Sequence, residues 1–429
     1  MPKTKIYSGA VLTLGIIQLI ESLAFSLPMS FFPNYAIGLG ATVASIGIFS
    51  SSFSLASAVM SPRMGSFSDT HGRKKIIVIG LIADIIIGAL TGLAPSWYWL
   101  LLIRVLNGAV SSAAMLSAEA LLMDSVSPSN WGEASGFVMS MGMIGRNLGP
   151  AFGGVIQSVS YSSGLSLIDS YRIPYFVDAG TAVLALLLVL WKVRDPEVKN
   201  RPNPRMQREV PSSTVKLPMS FSFKILLVCS FVNGMGMGFL MPIMVLFYND
   251  KFGIEPAEIG LIFSISGFIG LFASYIAGRI SDKAGRKPII GLGSYLSNVC
   301  NCVLPLTADV SQAAGVLSIR SLAFNINMPA MRALRADITP SEARGRYFGL
   351  FSTAFTSGDI VSPIIGAYIY DLYRFASFEV AGFVLPGYCI SFFINSFLGA
   401  LSTTLLLMLV KEPRSHIANT EYEPEDNLE

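Results

Sequence analysis

Nine ionisable side chains sit inside stretches that are otherwise apolar: Glu21, Asp84, Arg104, Glu119, Arg146, Asp178, Arg320, Arg332 and Asp359. A charge at the centre of a membrane helix costs about 2.5 to 3.5 kcal/mol on insertion scales, so such residues normally face a cavity or a partner. Five acids against four bases allow most of them to be paired. The chemistry open to the acids is proton carriage. A carboxyl group withdrawn from water favours its neutral form, so it can take up a proton on one side of a membrane and release it on the other. His71 and His416, the only two histidines, lie outside these stretches, which leaves the task to carboxylates. Glu21, in mid-stretch ahead of Pro28, is the first candidate, with Glu119 and Asp359 behind it. An acid facing a cavity would also attract a cationic solute, so proton and solute would compete for it. No phosphate-cradling loop, metal-ligand cluster or pairing of nucleophile and base is present, which argues against an enzyme, a bound metal and a cofactor.

Elements able to hold these charges must be membrane helices. Charged residues are 13% of the 429 positions, the apolar fraction is 52% and the mean hydropathy is +0.59. Such a chain cannot make a wettable surface, since soluble proteins carry roughly a quarter charged residues. Windows of about nineteen residues place spans near 11–34, 42–62, 76–94, 98–123, 134–157, 174–191, 225–248, 257–277, 288–307, 312–334, 347–369 and 383–410. The first apolar segment is interrupted by Glu21 and Pro28 and lacks a cleavage site, so it reads as a span and not a signal peptide. The fold expected is an all-α membrane protein of about twelve helices in two halves. Residues 1–191 form the first half, 192–224 a proline-bearing cytoplasmic linker, 225–410 the second half and 411–429 an acidic, disordered tail. Cys229, Cys300, Cys302 and Cys389 all fall in apolar stretches and read as packing residues.

Basic residues are retained on the cytoplasmic side during insertion, and their distribution is lopsided. With both termini in the cytoplasm, 23 of the 30 Lys and Arg fall on that side and three (Arg172, Lys251, Arg374) on the other, with the rest inside spans. The expected location is the plasma membrane. A net charge of only +3 gives no reason to invoke nucleic acid. The partners expected are the bilayer and a small-molecule substrate, with no obligate protein partner.

An internal repeat organises the chain. Gly65, Asp69, Gly72, Arg73 and Lys74 recur 213 positions later as Gly278, Asp282, Gly285, Arg286 and Lys287, and Asp124, Gly136 and Pro150 as Asp337, Gly349 and Pro363. Two halves of like polarity imply a parallel repeat about an axis normal to the membrane, with the substrate between them. Arg146 and Asp359 are 213 apart as well, opposite charges at equivalent positions. They either bridge the two halves or pair within their own.

The loop GSFSDTHGRKK (Gly65 to Lys75) and its copy GRISDKAGRKP resemble the signature G-x-x-x-D-x-x-G-R-K/R of the major facilitator superfamily. The resemblance extends over essentially the whole chain. It implies a twelve-helix fold and a latch in which Asp69 and Arg73 engage Asp124 in one half, and Asp282 and Arg286 engage Asp337 in the other. In the fifth span, Gly145, Gly149 and Gly153 recur every four residues beside Pro150 and Gly154, a smooth stripe for close helix contact. The run Gly149-Pro150-x-x-Gly153-Gly154 resembles the fifth-helix signature of the proton-coupled antiporters, the drug and tetracycline exporters; its second copy, Ser362-Pro363-Ile364-Ile365-Gly366, keeps only part of it. Arg104 with Asn107 and Gly108 resembles the fourth-helix signature R-x-x-Q-G with Asn for Gln, which implies a place near the coupling proton. Asp84 and Asp178 would lie on helices peripheral in that superfamily and read as structural or interfacial. Met235, Met237 and Met241 are candidates for an adaptable cavity wall.

These readings point to a secondary transporter driven by a proton gradient, exporting amphipathic organic compounds by alternating access. Import of a sugar or organic anion by symport is the nearest alternative, which the four in-span arginines, Arg104, Arg146, Arg320 and Arg332, favour, since an arginine in the cavity suits an anionic substrate. A membrane sensor that binds without moving its ligand would be expected to carry a larger soluble domain than this chain offers.

Overall fold

The computed structural model describes residues 9–127, 130–193, 219–340, 344–380 and 382–411. Among them the first half comprises α1 (Gly9–Ser26), α2 (Phe32–Gly38), α3 (Ile46–His71), α4 (Arg73–Gly92), α5 (Trp97–Ser125), α6 (Trp131–Ser162) and α7 (Leu167–Lys192). The second comprises α8 (Phe221–Leu240), α9 (Met244–Phe252), α10 (Pro256–Ala284), α11 (Arg286–Val303), α12 (Val310–Ile338), α13 (Arg344–Tyr373) and α14 (Cys389–Leu409). Each half opens with a broken rod. Pro28 in the 3₁₀ turn Leu27–Ser30 separates α1 from α2, and Pro242 in the turn Met241–Ile243 separates α8 from α9. Proline lacks the donor that would continue the helix, so the backbone tightens there before resuming. Counting each broken rod once, twelve rods are described, and nine segments are by themselves long and apolar enough to cross a membrane.

Two glycines make the joints of the repeated loop. Gly72 at φ +94 joins α3 to α4 and Gly285 at φ +88 joins α10 to α11, a region closed to most side chains. The twelfth span begins later than the sequence suggests. Residues expected to start a helix at 383 instead form a hairpin, β1 (Ser377–Val380) against β2 (Phe383–Pro386), with Val380 opposite Phe383 and a loop carrying Gly382 at φ +81. Alternating aromatic and β-branched residues on either side of that glycine favour the hairpin, and Pro386 ends it.

The small residues of α6 serve two faces. Side chains at Gly145 and Gly153 would run into the carbonyls of Leu19 and Leu27 in the first rod, and one at Gly149 into the Ser26 hydroxyl. On the other face, Gly154 abuts the Pro256 carbonyl of α10, while the Pro150 carbonyl abuts Gly260. The second half repeats this. Gly358 and Gly366 of α13 lie against the carbonyls of Phe231 and Phe239 in α8, and the Pro363 carbonyl lies against Gly47 of α3. Where Ser26 meets Gly149 in the first half, Gly238 meets Ser362 in the second: the same contact with the small and the hydroxylated partner exchanged. α6 and α13 are thus each clamped between a helix of their own half and one of the other.

The two faces of α6 should therefore respond differently to bulk. Gly153→Val presses on backbone inside one half and is expected to lower the thermal unfolding midpoint by an amount equivalent to about 1–3 kcal/mol. Gly154→Val presses on the seam between halves and should leave the midpoint nearer that of the parent while abolishing transport. The opposite ranking, measured on purified protein in detergent, would contradict the two-face assignment.

Candidate transport site

The two halves meet tightly at one end of the bundle. Asn34 donates to Asn249 at 2.8 Å, and the Ala44 amide donates to Asp371 at 3.2 Å. Asp371 and Asp250 are bridged by Arg374 at 3.6 and 3.3 Å, and Tyr370 donates to Asp250 at 2.9 Å. Towards mid-depth the seam continues through the glycine crossings, the Ala151 amide donating to Ser264 at 3.1 Å, and Ser54 donating to Asp359 at 2.7 Å. At the other end, which carries the basic loops, a Cβ at Gly132, Gly136, Gly345 or Gly349 would meet open space. Interhelical hydrogen bonds in membranes average about 0.6 kcal/mol, so this clasp is worth roughly 2 kcal/mol, enough to bias a two-state equilibrium without fixing it.

The latch is seen in part. In the second half Arg286 Nε lies 3.5 Å from Asp337. Arg73 is within the described residues, but the surroundings of Gly65, Asp69, Asp124, Gly278 and Asp282 lie outside them. The lysine of each loop has a task that the motif did not suggest. Lys74 Nζ donates to the Val193 carbonyl at 2.6 Å and Lys287 Nζ to the Val410 carbonyl at 2.9 Å, so each caps the C-terminal end of the last helix of its half.

The in-span charges divide sharply between the halves. Glu21 is turned away from α6, whose contacts with α1 run through Leu19, Ser22, Leu23 and Ser26, and towards α4 and α7. Asp84 and Asp178 act on its charge, and its Oε1 is enclosed with no hydrogen-bond partner. Arg104 is stacked on the Phe32 ring at 4.1 Å and sits beside Tyr175 and Asp178. A cavity of ≈ 30 Å³ lies between α1, α4, α5 and α7, lined among others by Thr91, Arg104, Asn107, Tyr175 and Asp178. That is room for one or two waters. Asp84 and Asp178, expected to be structural or interfacial, thus both act on the charge of Glu21, and Asp178 acts on that of Arg104 as well. Gly88 leaves the space for the Asp178 carboxylate, which a Cβ there would approach to 3.2 Å.

The remaining candidates lie elsewhere. Glu119, Arg146 and Arg332 are exposed. Arg146 and Asp359 form no ion pair with each other; Asp359 is held by Ser54 at the seam, and Arg146 lies on the side of α6 away from the exposed Phe152 and Val155. Glu119 and Arg332 are also 213 apart, a second reversal of charge between equivalent positions that the repeat offset could have revealed. Met237 and Met241 share an exposed face of the α8 rod, whereas Met235 is turned about 200° from Met237.

A bundle of twelve apolar rods in two repeated halves, clasped at one end and charged inside, defines a transporter of small molecules embedded in a membrane. The family model of the Major Facilitator Superfamily matches residues 14–224 and 226–426, and the chain belongs to that family. It is similar to Multidrug resistance protein 2 of Bacillus subtilis, 23% identical over 370 residues that cover 85% of this chain and 90% of that protein. It is 28% identical over 375 residues to multidrug resistance protein MdtG of Escherichia coli, covering 84% and 88%. With quinolone resistance protein NorA of Staphylococcus aureus it shares 25% over 357 residues, covering 82% and 87%. Among solved structures, a bacterial homologue of the human lysosomal transporter Spinster, inward-facing and unoccupied, aligns with a TM-score of 0.74 at 16% identity over 95% of this chain and 96% of that one. The nucleoside transporter NupG aligns at 0.73 and 12% identity over 94% and 100%. At such identities the structures speak for the fold alone.

The clasp gives a direct handle on the conformation described. Asn34→Cys with Asn249→Cys, in a background lacking the four native cysteines, should form a disulfide on oxidation and stop transport, with recovery on reduction. Failure to cross-link under any condition would mean that the two ends do not meet.

Proposed function

We propose that this chain exports amphipathic organic compounds in exchange for protons, from the cytoplasm across the plasma membrane. Three carboxylates, Glu21, Asp84 and Asp178, act on one another inside the first half, and only Asp178 has a guanidinium, Arg104, acting on it; this excess of acid carries the reading. One cation offsets one carboxylate. The negative charge left over in a low-dielectric surrounding is neutralised most cheaply by protons, and a cluster that gains and loses them as the halves rock is a coupling device. Glu21 is the proton carrier in this scheme, and Arg104 exchanges between Asp178 and the other acids as Glu21 changes charge. Glu119, exposed, and Asp359, tied to Ser54 at the seam, are secondary candidates.

Relatives named for multidrug and quinolone resistance support export and the substrate class. The excess of Lys and Arg at the end away from the clasp supports placing that end, with both termini, in the cytoplasm. With the opposite end clasped, substrate in this scheme enters from the cytoplasm or the inner leaflet. Arg286 with Asp337, and its counterpart Arg73 with Asp69 and Asp124, bias the balance between this clasped state and the outward-open one. No cofactor is required, since the proton gradient supplies the energy.

The test is proton movement in inverted membrane vesicles on addition of a panel of lipophilic cations. Protons should be released by vesicles carrying the intact protein, and the response should fall at least tenfold in Glu21→Gln and be weakened in Asp178→Asn. Unchanged release in Glu21→Gln would move the proton to Asp359 or Glu119. Silence across the panel, with uptake of a sugar or organic anion instead, would sink the export reading.

A further inference from the structure

The second half has no counterpart of the acid cluster and holds a cation without a partner. At the 213-residue offset Asp84, Gly88 and Asp178 become Ser297, Asn301 and Ser391, and Asn107 becomes Arg320. The contacts of α1 and α8 superpose at an offset of 212, so Glu21 becomes Asn233. Every acid of the first cluster is thus replaced by a neutral polar residue, while an arginine stands where the first half has an amide.

Arg320 lies in the middle of α12 and makes no hydrogen bond, ion pair or ring contact with any described residue; its Nε is fully enclosed. The groups that act on its charge are the Tyr248 hydroxyl and the Cys300 thiol, with no carboxylate among them. Tyr248 is 0% exposed and its hydroxyl also lacks a partner. Beside Cys300 on α11, Asn301 is 3% exposed with Oδ1 unpaired, and Ser391 and Asn395 on α14 are buried with unpaired oxygens. A guanidinium cannot shed its proton, so it cannot escape the cost of a low-dielectric surrounding by becoming neutral. Arg320 as a whole is half-buried, which leaves part of the side chain accessible. With no carboxylate acting on it, a counter-charge would come from outside the chain.

We propose that Arg320, with the Tyr248 hydroxyl, binds a small monovalent anion within the second half. The ligand is a free halide or the carboxylate group of a bound organic molecule, either of which accepts hydrogen bonds from a planar fork of N–H donors and an adjacent O–H. Donors of this kind, with no acidic neighbour, would repel a cation. The arrangement makes the second half the anion-holding counterpart of the acid-rich first half. It concerns binding alone and holds whichever way the transporter runs.

The experiment is thermal unfolding of the purified full-length protein in detergent, titrated with sodium chloride, sodium acetate or sodium isethionate at constant ionic strength. The midpoint should rise and saturate with chloride or acetate relative to isethionate, a bulky sulfonate that is neither halide nor carboxylate. Dependence on chloride alone identifies a free halide as the ligand, and a stronger response to acetate identifies a carboxylate. Arg320→Gln should remove the dependence, whereas Arg332→Gln, at an exposed position, should keep it. Arg320→Lys, which retains charge but not the fork, should shift the titration about tenfold to higher anion concentration, and Tyr248→Phe should weaken it. These two variants decide the matter if Arg320→Gln does not fold. Identical midpoints in all three salts for the intact protein, or the same salt response in Arg320→Gln, would overturn the proposal and leave water as the only solvent of that charge.

Discussion

Everything in this structure depends on how closely two helix backbones can approach across the seam. The Pro150 carbonyl rests against Gly260 and the Pro363 carbonyl against Gly47, two copies of one contact related by the repeat. A proline has no N–H, and its position frees the carbonyl one turn earlier from its usual helical partner. Glycine in the facing helix then lets the chains come together without side chains between them. In lipid there is no hydrophobic drive to hold polar-lined helices against one another, so this packing, and not burial of apolar surface, holds the halves in register. The clasp of Asn34, Asn249, Asp371 and Arg374 adds to it at one end and nothing comparable is described at the other. A seam held from one end to mid-depth, with backbone crossings at its centre, is the geometry of a rocker with its pivot in the α6 and α13 crossings.

Much of this was legible in the sequence because its causes are local or periodic. Span length follows from the thickness of the hydrocarbon, and the parallel repeat follows from motifs at a fixed offset. Gly72 and Gly285 declared themselves because a joint at positive φ admits few other residues. The stripe at Gly145, Gly149 and Gly153 announced close contact, but the sequence did not say that α6 serves two partners on two faces, since that depends on which rod lies on each side. The second strand of the hairpin, Phe383–Pro386, reads in the sequence as the start of a helix because its residues are apolar enough for either, and hydropathy does not separate strand from helix in a short segment.

The acid cluster was missed for a related reason. Asp84 and Asp178 sit on rods expected to be peripheral, and only the packing of α4 against α7 turns them inward towards Glu21 and Arg104. Gly88 was the available hint, a small residue one turn from an acid on the same helix, but its meaning depends on what lies opposite. The reversal between Glu119 and Arg332 could have been found by carrying the 213-residue offset through every charged position. The capping lysines Lys74 and Lys287 were hidden inside a motif whose arginine drew attention first.

The repeat also shows what the two halves do not share. Gene-level duplication would leave each half with the same charges, yet acid in one stands opposite base or neutral hydroxyl in the other at Arg146 and Asp359, Glu119 and Arg332, Asp178 and Ser391, and Asp84 and Ser297. Packing contacts survived this divergence, even to the exchange of Ser26 and Gly149 for Gly238 and Ser362, because they set the geometry of the pivot. The interior charges were free to differ because they do not bear on how the helices approach. With the acid cluster inside the first half and the proposed anion site at Arg320 inside the second, the two halves would act unlike one another: a cationic group would be drawn to the first and an anionic one to the second. A solute carrying both an apolar body and an ionised end would then be oriented as well as held, and the proton that neutralises the acid cluster would weaken one attraction without touching the other.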